Sequence, residues 1–217
     1  MNDIYLYLLD NLDSFNDDFI DDFIDEYFPK LPRFRQEQCI RFRQKHDKRN
    51  CILAYMLLEL GLKEQYGKTT PISFIYNKHG KPYLYEYPNI FFNISHCKDG
   101  VVCALAYIEV GVDIQNIGVF DWNIARRVCS KAELLMLANA NNPTSLFCKL
   151  WTKREAYAKS MGVGLASVFQ LDLENVEFLE WNNGDYYISL FAREEWKLCS
   201  QKLIVIPKNL SNQALKW

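Results

Sequence analysis

The chain has 217 residues, enough for one large domain or two small ones packed together, and either can bury a sizeable core. Its residues are 49% apolar, 15% aromatic and 24% charged, which is typical of a globular protein and excludes a disordered or fibrous one. The net charge of −2 argues against a general nucleic-acid binder, whose overall charge would be basic.

The small net charge hides two segments of opposite sign. Residues 1–28 contain nine Asp or Glu and no Lys or Arg, whereas residues 30–49 contain eight Lys or Arg and only two acids. The basic segment indicates a surface for an anionic partner, although a solvated helix face of mixed charge explains it equally well.

The cysteines and the N-terminal sequence provide information on the cellular compartment. The seven cysteines form no C-x-x-C pair, and several lie in apolar runs such as 101–105, where a reduced cysteine behaves as a small hydrophobe. These features predict a reducing cytoplasm. The first residues lack the pattern of a signal peptide, and the longest apolar run, 51–58, is far shorter than the ~20 residues of a membrane span, so we expect a soluble protein without a membrane segment.

In chain order, the first half is predicted to contain two helices and three strands. Pro29 and Pro32 end the first helix, whose apolar residues from 15 to 28 have helical spacing. The predicted ranges are a strand at 4–9, a helix ending at 28, a long helix at 34–66 with a buried C-terminal half, and strands at 90–94 and 101–107.

The second half is predicted to repeat this pattern of helices and a small sheet. Gly162 and Gly164 end its longest helix, and Asn182–Asp185 predicts a hairpin turn. The predicted ranges are a strand at 110–114, helices at 124–128, 131–139 and 143–161, and strands at 168–173, 176–181, 186–191, 196–199 and 203–206.

Two acids carry the strongest chemical signal. Asp113 stands at the end of the apolar run 110–113, and Glu155 follows 42 positions later. On a helix, Glu155 would lie at the edge of the apolar stripe that includes Trp151, with its carboxylate in a partly buried cleft. Mg²⁺ usually takes one or two carboxylates together with waters and phosphate oxygens, so the pair predicts a magnesium site for a phosphate ester.

Each of these residues also has a structural interpretation. Glu155 can pair on the surface with Lys159, one turn later, for about 0.3–0.5 kcal/mol, and Asp113 can be a turn or cap residue at a strand end. Lys159 can alternatively neutralise charge on a departing phosphate. Glu133 ends an S-x-x-E capping box that begins at Ser130, which explains it without any chemistry.

The segments V-G-V-D (110–113) and W-T-K-R-E-A-Y-A-K (151–159) resemble the signature of the 4′-phosphopantetheinyl transferases, (I/V)-G-(I/V)-D followed some forty residues later by W-(S/C/T)-x-K-E-(A/S)-x-x-K. Further segments resemble the family's F-N-(I/L)-S-H, G-K-P and S-x-x-E motifs, at 92–96, 80–82 and 130–133. The chain is similar to the longer, monomeric type that activates surfactin synthetase.

The resemblance implies an α+β fold. Two similar α+β subdomains in one chain would form a pseudo-twofold dimer with the active site in the cleft between them. Residues 1–109 would form the coenzyme A-binding wall, and residues 110–217 the magnesium-binding and catalytic subdomain. A loose echo of 101–105 at 196–200 agrees with such a repeat.

The resemblance also implies roles for individual residues. The metal ligands would be Asp113 and Glu155, with Gln115 acting through a water where many members have a second acid. The residues expected to act in catalysis are Glu155, Lys159 and Glu133. The residues expected to bind coenzyme A are Arg49 (at its 3′-phosphate), Lys81, Ser95, His96 and Lys159.

Two features of the sequence restrict the roles that the resemblance implies. Arg154 stands where the family normally has lysine, and an arginine presents its charge in a different geometry. Ser95 and His96 cannot form a hydrolase dyad, because adjacent strand residues point to opposite faces, so His96 is expected to bind an anion.

The implied reaction is magnesium-dependent transfer of 4′-phosphopantetheine from coenzyme A to a serine of an apo acyl or peptidyl carrier protein, releasing adenosine 3′,5′-bisphosphate. Glu155 or Glu133 would take the serine proton. Two alternatives stay open. One is a magnesium-dependent nucleotide phosphohydrolase, and the other is a non-catalytic relative that binds coenzyme A or carriers, which Gln115 makes conceivable.

Overall fold

A computed structural model describes residues 3–69, 71–193 and 200–206. The helices are α1 (Asp17–Tyr27), α2 (Arg33–Cys39), α3 (Lys45–Tyr66), α4 (Trp122–Val128), α5 (Lys131–Ala138) and α6 (Pro143–Met161). The strands are β1 (Ile4–Leu9), β2 (Phe74–Tyr76), β3 (Pro82–Leu84), β4 (Phe91–His96), β5 (Val101–Ala106), β6 (Val110–Asn116), β7 (Leu179–Asn182), β8 (Tyr186–Ala192) and β9 (Gln201–Val205). The fold is therefore mixed α/β, and no helix among the described residues combines the length and apolarity needed to span a bilayer.

The strands form three sheets. The largest has the order β4-β5-β1-β9, the second pairs β2 with β3, and the third has the order β6-β8-β7. All neighbours are antiparallel except β1 and β9, which run parallel. The last described strand of the chain therefore lies in the sheet that the first half builds.

Two of the apolar clusters lie on the two faces of the large sheet. On one face of the large sheet, α3 packs against β4 and β5, and α1 and α2 cover its outer side. The other face packs against β6 and β8 through residues such as Leu6, Ala104 and Val112. The far side of β6 and β8 is covered by α6, so β6 lies between the large sheet and this helix.

Most predicted elements are confirmed, but one predicted helix is interrupted and one predicted strand is not formed. The predicted helix at 34–66 breaks between Cys39 and Lys45, because Gln44 adopts an extended conformation with φ −85° and ψ 140° and becomes the N-cap of α3. The strand predicted at 168–173 is wrong. A 3₁₀ turn, Leu165–Val168, stands there, and Gln170 has a φ of 60°, which a strand does not allow.

The hairpin predicted around Asn182–Asp185 is confirmed, since β7 and β8 pair across it. Its first strand begins later than predicted, at Leu179 rather than at 176. The strand predicted at 196–199 lies outside the described residues, and β2 and β3 are too short, at three residues each, for a periodic pattern to reveal.

Candidate active site

Gly111 allows β6 and α6 to meet at backbone contact. A Cβ atom at this position would lie 2.1 Å from the carbonyl oxygen of Ala156 and 2.3 Å from the amide nitrogen of Ser160, both on α6. Only glycine allows this approach, since real Cβ atoms are never found so close to backbone atoms. The glycine of the V-G-V-D segment thus sets how near the side chains of α6 come to Asp113.

Asp113, Lys159 and Ser95 meet in one hydrogen-bonded group. The Lys159 ammonium donates to Asp113 Oδ1 at 2.6 Å, to Ser95 Oγ at 2.9 Å and to the carbonyl oxygen of Val112 at 3.2 Å. The Ser95 hydroxyl donates to Asp113 Oδ1 at 2.7 Å. Three elements, β4, β6 and α6, therefore contribute one side chain each to this group.

The second oxygen of Asp113 has a different environment. Asp113 is buried, and its Oδ2 has no hydrogen-bond partner within the described part of the chain. An unpaired, buried carboxylate oxygen is costly unless a ligand satisfies it. The residues present therefore fit a divalent cation at Oδ2.

Glu155 is the other acid of this site. It lies one helical turn before Lys159 and is half-buried, and its carboxylate forms no hydrogen bond or ion pair with a described residue. Its pKa is raised above the ordinary value, mainly by burial, while Lys159 lowers it and the charge of Asp113 raises it further. The negative charge of Asp113 therefore disfavours ionisation of Glu155, and a cation bound near both carboxylates would favour it.

Among the described residues, no third acid completes a metal-binding group with Asp113 and Glu155. Gln115 is exposed on β6, and the described residues contain no group of three or more His, Cys, Asp or Glu side chains arranged to hold a metal. Mg²⁺ usually binds through one or two carboxylates and completes its octahedron with waters and phosphate oxygens. Two carboxylates are compatible with that chemistry, and any contribution from Gln115 stays a prediction.

His96 ends β4, beside the Ser95 group. Its ring meets Phe42 edge to face, with the centroids 5.7 Å apart. Burial lowers the pKa of His96, an effect that Asp47 and Asp113 oppose and that Lys159 and Arg35 strengthen. The imidazole therefore favours its neutral form, in which one ring nitrogen can still donate a hydrogen bond to an anion.

Lys81 is buried and joins three segments. Its ammonium pairs with Glu109 and also donates to the carbonyl oxygen of Ser160 at 2.9 Å. Nearby, Asn77 donates to the carbonyl oxygen of Gly162 at 2.8 Å. These bonds attach the β2–β3 hairpin to the end of α6, and burial lowers the pKa of Lys81 despite its partner Glu109. A contact between Lys81 and a phosphate stays a prediction that requires these bonds to open.

Arg49 is only 2% exposed and faces inward. Its guanidinium donates to Asn50 Oδ1 at 2.9 Å and to the carbonyl oxygens of Leu12 and Lys98 at 2.7 and 3.1 Å. It thus joins the start of α3 to two loops. The predicted contact with a coenzyme A phosphate would likewise require this buried network to open.

Glu133 has two structural roles. Ser130 and Glu133 form the complete capping box that the sequence predicted for the start of α5. Both carboxylate oxygens of Glu133 also accept hydrogen bonds from Arg154, whose guanidinium is fully buried. The arginine that departs from the family pattern therefore joins α5 to α6, and Glu133 does not join Asp113 and Glu155 in a three-acid group.

Sequence reasoning missed two buried polar groups at the site. The Asn93 side chain accepts a hydrogen bond from the amide of Val112 at 2.9 Å, which aligns β4 with β6. Ser189 of β8 is the cross-strand partner of Asp113 on β6, and it shares a 2.8 Å hydrogen bond with Thr152 of α6. The F-N-I-S-H segment contains Asn93, so its position was a usable signal, whereas nothing in the sequence distinguished Ser189.

Comparison with known proteins gives a consistent result. Residues 109–214 match the family described as the 4′-phosphopantetheinyl transferase superfamily. The chain is 33% identical over 135 residues to a 4′-phosphopantetheinyl transferase of Bacillus subtilis, and 32% identical over 135 residues to the 4′-phosphopantetheinyl transferase Sfp of Bacillus subtilis (strain 168). Each alignment covers 61% of this chain and 60% of the relative.

A third relative, the 4′-phosphopantetheinyl transferase gsp of Aneurinibacillus migulanus, is 38% identical over 96 residues, which cover 43% of this chain and 40% of that protein. The matched part of the chain thus spans about three fifths, or less, of the length of these curated relatives. The family match begins at residue 109 and includes Asp113, Glu155 and Lys159. Residues 109–214 of this chain are therefore similar to the 4′-phosphopantetheinyl transferase superfamily.

Proposed function

We propose that the protein transfers the 4′-phosphopantetheine group of coenzyme A to a serine of an apo acyl or peptidyl carrier protein. The observation that carries this proposal is the buried, unpaired Oδ2 of Asp113, near Glu155 and Lys159, in a segment that matches a transferase superfamily. The relatives named above are 4′-phosphopantetheinyl transferases, which supports the same reaction here.

Asp113 and Glu155 would hold Mg²⁺, with Gln115 contributing through a water. A bound magnesium ion would supply positive charge that polarises the phosphate oxygens of the substrate. The requirement for magnesium is part of the proposal, and the unsatisfied oxygen of Asp113 is its physical basis.

The reaction joins the serine oxygen of the carrier to the phosphorus next to pantetheine. The bond from that phosphorus to the bridging oxygen of the pyrophosphate breaks, and adenosine 3′,5′-bisphosphate leaves with the bridging oxygen. Lys159 would neutralise the charge that develops on this leaving phosphate. Phosphoryl transfer of this kind depends mainly on positioning and charge, so the protein needs no nucleophile of its own.

Glu155 is the residue that we propose to take the serine proton. Its half-buried carboxylate makes no hydrogen bond or ion pair with a described residue, so one oxygen can hold the cation while the other accepts the proton, directly or through a water. Glu133 was the other candidate, but its oxygens are engaged by Arg154 and by the cap of α5. We propose that Glu133 supports the site by holding α5 against α6.

On the opposite wall, we propose that Ser95 and His96 contact the coenzyme A phosphates, together with Lys81 and Arg49 if their internal bonds open. We also retain the division into a coenzyme A-binding part, 1–109, and a catalytic part, 110–217, related by a pseudo-twofold axis. Its support is that each part packs a long helix, α3 or α6, on its own sheet. We expect a monomer that works in the cytoplasm.

The test is a transfer assay. Apo carrier protein, coenzyme A and Mg²⁺ are incubated with the protein, and mass spectrometry detects addition of one phosphopantetheine to the carrier. Asp113→Asn should lower the rate by about 10²-fold or more, the usual cost of losing one electrostatic group. Asp185→Asn, which alters an exposed acid of the β7–β8 turn, is the matched control and should keep the wild-type rate.

Three outcomes separate the candidate functions. Carrier modification that depends on Asp113 supports the transferase. Release of adenosine 3′,5′-bisphosphate from coenzyme A without carrier would identify a phosphohydrolase instead. Coenzyme A binding without any turnover would identify a non-catalytic relative and overturn the proposal.

A further inference from the structure

The Lys159 ammonium is fully satisfied inside the protein. An ammonium group has three donors, and the three acceptors around Lys159 are Asp113 Oδ1, Ser95 Oγ and the carbonyl oxygen of Val112. The side chain is only 26% exposed, and that of Asp113 is 7% exposed. Lys159 is therefore held against Asp113 rather than extended into solvent.

This arrangement creates a competition at one carboxylate. Lys159 already neutralises Asp113 through Oδ1, while the unpaired Oδ2 is the atom that fits a divalent cation. A cation bound at Oδ2 would lie close to the ammonium, and two positive groups on one partly buried carboxylate repel each other. The affinity of Asp113 for a metal should therefore be lower while Lys159 remains in this position.

The side chain of Lys159 can relieve this repulsion by moving. It has a flexible four-carbon stem on the face of α6 that also carries Glu155, and a lysine ammonium is a mobile point charge. A phosphate group in the cleft offers it oxygens that carry full negative charge. An arriving phosphate would thus remove the ammonium from Asp113 and leave the carboxylate to the metal.

We propose that Lys159 is the resting counter-ion of Asp113 and that its release couples the binding of a divalent cation to the binding of a phosphate ester. The identity of that ester as coenzyme A rests on the function proposed above. Because coupling between two ligands is reciprocal, each should raise the affinity for the other. The site would then stay weakly metallated until its phosphate substrate arrives.

The experiment measures metal affinity without any turnover. Mn²⁺, whose free form is counted by electron paramagnetic resonance, is titrated into the folded protein in the absence of coenzyme A and carrier. Lys159→Gln should bind Mn²⁺ at least fivefold more tightly than the wild type, within the usual 5- to 150-fold range of such coupling. Addition of coenzyme A should strengthen Mn²⁺ binding in the wild type by a similar factor, and much less in Lys159→Gln.

Two control variants separate this effect from a general change of charge. Lys159→Arg keeps a cation at the same position and should stay near the wild-type affinity. Lys153→Gln removes a positive charge from the same helix, where Lys153 pairs with Glu180 at 2.9 Å, and should change Mn²⁺ affinity by less than about twofold. Thermal unfolding confirms that each variant is folded before titration.

The outcomes distinguish this inference from the proposed function. Equal or weaker Mn²⁺ binding by Lys159→Gln overturns the counter-ion role, even if the wild type modifies carrier proteins. Equal tightening in Lys153→Gln overturns it as well, because the effect would then be general. Tighter binding by Lys159→Gln alone supports the inference, even if no carrier is ever modified.

Discussion

Gly111→Ala tests whether the contact between β6 and α6 sets the geometry of the site. The new Cβ would lie 2.1 Å from the carbonyl oxygen of Ala156, whereas real Cβ atoms keep at least 3.0 Å, so α6 must retreat by about 0.9 Å. Overpacking of this kind typically costs about 1–3 kcal/mol of folding free energy. The same retreat would lengthen the 2.6 Å hydrogen bond between Lys159 and Asp113 beyond its normal range.

The effect on activity should exceed the effect on stability. A displacement of about 1 Å at reacting groups costs about 10²-fold in rate. We expect Gly111→Ala to remain folded in a denaturant titration and to lose about 10²-fold in the carrier-modification assay. Gly164→Ala is the matched control, because a Cβ at Gly164 meets nothing within 4 Å. A Gly111→Ala protein with wild-type stability and rate would refute the argument that α6 needs this glycine.

Three further predictions address other parts of the site. Arg154→Met leaves the Glu133 carboxylate buried without its partner and should lower the free energy of unfolding in urea by about 3–5 kcal/mol. Lys153→Met should lower it by no more than about 1 kcal/mol, and equal losses in the two variants would show that the buried pair is not important for stability. Burial lowers the pKa of His96 below 6.5, so the unfolded chain binds more protons than the folded one between that lowered pKa and 6.5. The folding stability of the wild type should therefore fall as the pH decreases through this window. Denaturant titration at pH 7.5 and at pH 5 should show a smaller loss of stability in His96→Gln than in the wild type, and equal losses would contradict this assignment. Gln115→Glu adds an acid at the position where many family members have one, and should strengthen Mn²⁺ binding in the titration described above; unchanged affinity would exclude position 115 from the metal site.

The helices and strands that bear the candidate site residues could be predicted from local sequence, because the patterns that indicate them involve only neighbouring residues. The one-turn spacing of Glu155 and Lys159 follows from helix geometry alone, and the position of Asp113 at the end of an apolar run predicted its strand. The capping box at Glu133 and the turn at Asn182–Asp185 are likewise local. Local signals failed where a backbone angle departed from the pattern, as at Gln170.

Whether a given cationic side chain contacts a ligand or the protein itself could not be predicted from local sequence. Arg49 and Lys81 have the same side-chain chemistry whether they face a phosphate or a buried carbonyl oxygen. The family resemblance implied phosphate contacts for both, and in the structure both side chains bond within the protein. The difference depends on segments distant in the chain, such as the loop at Lys98 and the end of α6, which supply the acceptors.

The sequence by itself determined which functional groups the candidate site contains, namely two carboxylates, a lysine and a glycine in recognisable spacing. The tertiary structure decided which of these groups touch. Only the packing of α6 on β6, with β4 alongside, brings Lys159 and Ser95 to one oxygen of Asp113 and leaves the other oxygen unpaired. The physical reason is that spacing along a chain controls which face a side chain occupies, whereas the partner of a buried charge is chosen by contacts between distant segments.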